Sequence, residues 1–237
     1  MPARNSRKEY LENGFYHLYN RGVEKRIIFS DEQDYAVFLS YLKEYLLPKD
    51  EFELRKKLSD PTLSYKEKDK IIKLLSLNNF ADEISLLAYC LMQNHFHFFI
   101  QQKNELSIDK FMQSLCTRYT MYFNRKYRRV GSLFQAVYKA VLITNDEQLL
   151  HLSRYIHKQA ISQKPASKGE AFRSWKQWKQ KQPSSFSEYI GLKNTSWVKT
   201  DEILNFFTKN NRNYRLSYEA FVIQNEDFEI INKLLIE

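Results

Sequence analysis

Backbone breakers are scarce in this 237-residue chain, which has five glycines, five prolines and two cysteines. With 43% hydrophobic and 27% charged residues, so little glycine and proline excludes wholesale disorder and points to an ordered globular fold. Cys90 and Cys116 lie in apolar segments without CxxC or Cys/His spacing; reduced, buried thiols are expected and no chemistry is assigned to them. Long apolar runs are also lacking. No stretch approaches the roughly 18 residues of a membrane span, and the opening MPARNSRKEY has no signal-peptide h-region, so a soluble, cytoplasmic protein with no membrane partner is expected.

Acidic residues are missing where basic ones gather. The formal charge is +9, which favours a polyanionic partner because lysines and arginines that neutralise phosphates release condensed counterions. From Lys110 to Asn145 there are seven basic residues and no acid; from Arg154 to Lys181 there are eight against only Glu170; the last 21 residues hold five acids and one lysine. Tyr119, Tyr122, Tyr127, Tyr138, Trp175 and Trp178 are interleaved through the basic stretches. Exposed rings beside cationic groups can stack single-stranded bases, although at least half of these rings are expected to serve packing.

Periodicity orders the elements. Gly14 to Asn20 reads as a strand ended by the turn Asn20, Arg21, Gly22. Ser30 and Asp31 offer an N-cap to a helix whose apolar residues recur to Leu46 before Pro48 stops it. Between Lys49 and Asp82 eight basic and seven acidic residues cancel, and the apolar spacing there reads as an inserted helical pair. Ile84 to Met92 and His95 to Gln101 read as antiparallel strands joined at Gln93 and Asn94. Leu106 to Tyr127 shows helical spacing, Ala136 to Thr144 reads as a strand, and Asp146 is expected to cap a helix through about Ile161. The order β, α, β, β, α, β, α implies an α+β, ferredoxin-like antiparallel sheet covered on one face, with one extra helix. The expected organisation is a main domain over 1–163, with the insertion at about 49–82, followed over 164–237 by a polar connection and a helical tail from about Thr200.

Four side chains stand out. His95 and His97 alternate with Phe96 and Phe98, so in a strand both imidazoles project to one face while the phenylalanines hold the register on the other. Two imidazoles on one rigid face make half a metal site. Half-buried structural histidines would look the same. Tyr155 and Gln159 are four apart in a predicted helix and share a face; alone, such a pair is ordinary core edge and surface. His17 and His151 can approach this region, and a structural or DNA-contacting role is expected of each.

The segments FYHLYNRG (15–22), AYCLMQNHFHFFI (88–100), RYTMYFNRKYRRVGSLFQAVYKAVLI (118–143) and RYIHKQAI (154–161) resemble, in order and spacing, the single-tyrosine HUH transposases, and more closely the subgroup associated with repetitive extragenic palindromes. The resemblance implies that 1–163 is an HUH catalytic domain in which Tyr155 is the nucleophile. It implies that His95 and His97 are metal ligands and that Gln159 falls where the family places an Asn or Gln as the third. The family commonly has a proline where this chain has Gln93, which should loosen the hairpin turn, and reads YIHLNPV where this chain reads YIHKQAI.

The implied activity is metal-dependent cleavage and rejoining of single-stranded DNA through a covalent 5′-phosphotyrosine. The implied cofactor is a divalent cation, Mg or Mn, which imidazole and carboxamide oxygen with open positions would suit. The implied partner is hairpin or palindromic single-stranded DNA, with monomer and homodimer both open. Arg21, Arg118, Arg125, Arg128 and Arg129 are candidates for its backbone. Other readings remain: a nonenzymatic hairpin-binding protein derived from a transposase, a ferredoxin-like RNA-processing nuclease, and a replication initiator or relaxase, the last disfavoured by the short chain.

Overall fold

A computed structural model describes residues 10–161, 182–208 and 213–223. In chain order these form β1 (Phe15–Arg21), a 3-10 turn (Val23–Lys25), α1 (Glu32–Leu46), α2 (Glu51–Leu58), α3 (Tyr65–Ser76), β2 (Ile84–Met92), β3 (His95–Gln102), α4 (Ser107–Lys126), β4 (Lys139–Ile143), α5 (Asp146–Ala160), α6 (Phe186–Tyr189), α7 (Asp201–Thr208) and α8 (Tyr214–Ile223). The four strands make one antiparallel sheet in the order β2-β3-β1-β4, the ferredoxin-like arrangement expected from the order of elements. Trp175, Trp178 and most of the second basic stretch lie outside the described residues.

Strand alternation divides the side chains between two layers. On one side Tyr16, Leu18, Phe96, Phe98 and Ile100 pack with Phe38 and Leu42 of α1 and Phe111, Leu115 and Tyr119 of α4. Phe96 and Phe98 are wholly buried, and burying such a ring contributes roughly 2–3 kcal/mol. This aromatic layer resists a one-residue slip of β3, because a slip would put both phenylalanines among the histidines.

The other side of the sheet is covered too. Leu149, Leu152, Ile156 and Ala160 of α5 pack on Leu87, Ala88, Cys90 and Phe99, and Tyr189, Ile203, Leu204, Tyr218 and Val222 of the later helices complete the layer. The expectation of a sheet covered on one face thus holds for the ferredoxin-like pair α1 and α4 but is extended by this second layer. The cause is legible in β2, whose ISLLAYCLM is apolar almost throughout and buried on both faces, as continuous apolar strands are. A bulge between Leu86 and Ala88 sets two neighbouring residues, Leu87 and Ala88, on the α5 side, and bulges bend and twist their strand locally.

Local chemistry starts and stops the helices. Asp31 accepts from Asp34 N at 3.0 Å to cap α1, and Ser64 and Glu67 form a capping box on α3. At the start of α5 the cap is Asn145, which accepts from Gln148 N at 2.8 Å; Asp146, expected as the cap, is instead the first helical residue and lies with Glu147 in the acidic first turn, where a carboxylate favours the dipole. Residues 49–82 hold a helical pair as expected: α2 packs on α3, and Lys49 Nζ donates to Leu75 O and Leu77 O, both at 2.9 Å, closing the end of α3.

Candidate active site

The strands place the histidines before any helix does. His95 pairs with Arg21 and His97 with Tyr19 across the β1–β3 ladder, and alternation sets all four on the α5 side of the sheet with His17. The ring centroids of His95 and His97 are 4.9 Å apart. The hairpin turn between β2 and β3, expected to be loose without a proline, is clamped from outside. Gln93 O accepts from Ile28 N at 2.8 Å and Phe29 N at 3.0 Å, and Asn94 O from Gly22 N at 2.8 Å. That last contact depends on a glycine, since a Cβ on Gly22 would lie 2.3 Å from Arg26 O and 2.8 Å from Ile28 Cγ2. The RG of FYHLYNRG therefore holds Arg21 beside His95.

Helix α5 brings Tyr155 onto this face. Its ring meets His97 edge-on with centroids 5.5 Å apart and His17 edge-on at 6.3 Å, and it is 6% exposed. Gln159 follows one turn later, about 40° around the helix from Tyr155, and is half-buried. The RYIH segment divides by direction. Tyr155 turns to the histidines, while the fully buried Arg154 has its guanidinium carbon 5.1 Å from the Phe221 ring of α8 and His157 bonds Tyr218 and Ser185 behind α5. His151 also turns away, with its ring 5.8 Å from Phe221.

Electrostatics single out His97. Burial, reinforced by the like charges of His17, His95 and Arg21, holds its pKa well below the usual imidazole range, so the ring is neutral and can offer a lone pair. Its Nδ1 lies 2.9 Å from His17 Nε2, whereas its Nε2 is buried without a hydrogen-bond partner. A buried polar atom left in that state is costly unless something absent from the protein satisfies it. His95 Nδ1 lies 2.6 Å from Asn94 Oδ1, an arrangement that orients a ligating ring. Among the described residues no group of three or more His, Cys, Asp or Glu is placed to hold a metal, but a set of two imidazoles and a carboxamide lies outside that description. Such a set fits a divalent cation with open positions.

The basic candidates scatter. Arg21 stands beside the site in register with His95. Arg125 and Arg128 are exposed, and Arg129 donates to Asn124 Oδ1 at 3.2 Å. Arg118 lies on the opposite side of the sheet, paired with Glu44 at 2.7 Å and 3.7 Å above the Tyr41 ring. Tyr119, Tyr122, Tyr127 and Tyr138, considered as stacking platforms, donate to Ile28 O, Asp34, Asp34 and Asp109 respectively, so they serve packing. Two groups absent from the sequence candidates hold a better position: Tyr19, 5.9 Å from His97, and the exposed Lys139, whose ammonium is 5.5 Å from the Tyr19 ring. Only the pairing of Tyr19 with both His97 and Lys139 reveals them, and pairing is not readable from one strand.

No curated protein sequence matches. A solved structure described as "Structure of the REP associates tyrosine transposase bound to a REP hairpin" is similar at 10% identity and a TM-score of 0.46, covering 83% of this chain and 98% of that one. The family described as "Transposase IS200 like" matches over 53–159. That stretch, which holds His95, His97, Tyr155 and Gln159, is thus similar to the IS200-like transposases.

Proposed function

We propose that the chain cleaves and rejoins single-stranded DNA, with Tyr155 as nucleophile and a divalent cation, Mg or Mn, held by His95, His97 and Gln159. The observation that carries this reading is the packing of the Tyr155 ring against a buried, neutral His97 whose Nε2 has no protein partner. A bound cation would polarise a nonbridging phosphate oxygen. The Tyr155 hydroxyl oxygen attacks phosphorus and gives up its proton to solvent, the P–O3′ bond breaks, and the departing 3′-oxygen takes up a proton; a 5′-phosphotyrosine and a free 3′-hydroxyl remain. The phosphodiester energy is kept in the tyrosyl ester, so the reverse attack by another 3′-hydroxyl rejoins DNA without ATP. Arg21, Lys139 and Tyr19 line the approach, and Arg125, Arg128 and Arg129 would meet the phosphates further out. Hairpin DNA as substrate follows from the resemblance of the four motifs to the palindrome-associated subgroup.

The test is a covalent-adduct assay. Labelled single-stranded hairpin DNA is incubated with the protein and Mn or Mg and resolved on a denaturing gel. A protein band carrying DNA is expected, and Tyr155→Phe should lower its yield on the order of 10⁴-fold with hairpin affinity nearly unchanged. An equal adduct from Tyr155→Phe, or none from wild type on any hairpin tried, would overturn the assignment. Hairpin binding without any adduct would favour the nonenzymatic reading.

A further inference from the structure

His17 lies on β1, outside the stretch that matches the family, and its charge chemistry is not used by the mechanism above. It is 1% exposed and central in the sheet, in register with Phe99 on one side and Val141 on the other. Its Nε2 lies 2.9 Å from His97 Nδ1, with the two rings 18° from parallel. One of these two nitrogens must carry the hydrogen. If His17 donated, His97 would carry its own hydrogen on Nε2, as a buried donor with no acceptor. If His97 Nδ1–H donates, His97 Nε2 is instead a bare lone pair directed away from the bond. The second arrangement leaves no stranded donor on His97 and presents the atom a cation would take.

We propose that His17 is a positioning residue: it accepts from His97 Nδ1–H, locks His97 in the tautomer with a free Nε2 lone pair, and fixes the ring plane for a divalent cation. The proposal rests on the metal role given to His97, but its first half concerns the metal-free protein. The same contact places His17 edge-on to Tyr155, so one imidazole braces both the ligand and the nucleophile.

Two measurements test it. Long-range ¹H–¹⁵N NMR of the metal-free wild type should show His97 protonated on Nδ1, and His17→Leu should move that hydrogen to Nε2. Mn affinity, followed by EPR without DNA, should fall about 10- to 100-fold in His17→Leu. His17→Gln, whose Oε1 can replace Nε2 as acceptor, should stay within about threefold of wild type. Hairpin binding in EDTA should be the same for all three proteins. The proposal is overturned if wild-type His97 is the Nε2–H tautomer, if folded His17→Leu keeps full Mn affinity, or if His17→Gln falls as far as His17→Leu. Should the wild type show the Nδ1–H tautomer and bind no Mn, the metal reading fails while the tautomer assignment stands.

Discussion

Two buried imidazoles lie on either side of α5, and their surroundings differ in one respect. Behind the helix, His157 has both nitrogens engaged, Nδ1 with Tyr218 Oη at 2.6 Å and Nε2 with Ser185 Oγ at 2.8 Å. In front of it, His97 has one nitrogen engaged and the other without a partner. Burial lowers the pKa of both, to about 3 for His157 and well below the usual range for His97. Depth and charge state therefore do not separate the two rings. Completeness of hydrogen bonding does: the saturated His157 has no remaining valence for a ligand, whereas the role proposed for His97 uses the nitrogen left over.

Exchanging the two sites' roles is the strongest way to break this contrast. His97→Ala should reduce adduct formation by about 10³-fold or more and abolish tight Mn binding even in the protein that remains folded. His157→Ala should do the reverse. It removes a buried ring and strands the Tyr218 and Ser185 hydroxyls, costing about 2–4 kcal/mol in urea unfolding, while the folded fraction keeps its Mn affinity. If His157→Ala lost Mn binding at full stability, hydrogen-bond completeness would be the wrong criterion.

Acid sharpens the comparison. The folded pKa of His157, about 3, lies below the ordinary 6.5, so between those values the unfolded chain binds a proton that the folded chain excludes. Stability from this group is complete above about pH 6.5 and is lost as pH falls, by about 1.4 kcal/mol per unit. His97 adds in the same direction. Urea midpoints between pH 7 and 4.5 should therefore fall for wild type, and His157→Gln should remove about one proton's worth of the slope. An unchanged slope would mean that His157 is protonated in the fold.

A smaller effect distinguishes the two sides of the sheet. Arg21→Ala and Arg128→Ala should each lower the salt dependence of single-strand binding by about 0.7 in log–log slope. Arg118→Ala should leave that slope alone and cost about 1 kcal/mol of stability through its Glu44 pair and Tyr41 stack. A lowered slope for Arg118→Ala would put DNA on the α1–α4 side.

Much of this was legible because it is periodic. The HFHF alternation set His95 and His97 on one face, opposite a phenylalanine layer, and the four-residue spacing of Tyr155 and Gln159 set theirs. The capping residue of α5 was missed by one, since Asn145 and Asp146 are both competent acceptors and only backbone geometry chooses between them. The contact of His17 with His97 depends on the β1–β3 register, which no local pattern encodes. Charge alone makes Arg118 a DNA candidate, and nothing local in the sequence signals its pairing with Glu44 on another helix. The second helical layer has one sign in the sequence, the unbroken apolar run of β2.

β2 is also an edge strand of the sheet, and its outer edge is occupied. Leu91 N donates to Pro183 O at 2.9 Å, Ser185 N to Tyr89 O at 3.1 Å, and Lys199 N to Leu86 O at 2.8 Å, while Tyr189 Oη reaches Leu87 O at 2.9 Å. Pro183, Ser185, Tyr189 and Lys199 act as a seam along an edge that would otherwise be open to strands from other molecules. A chain cut before Pro183 would expose that edge, and its expected fate is colloidal more than enzymatic.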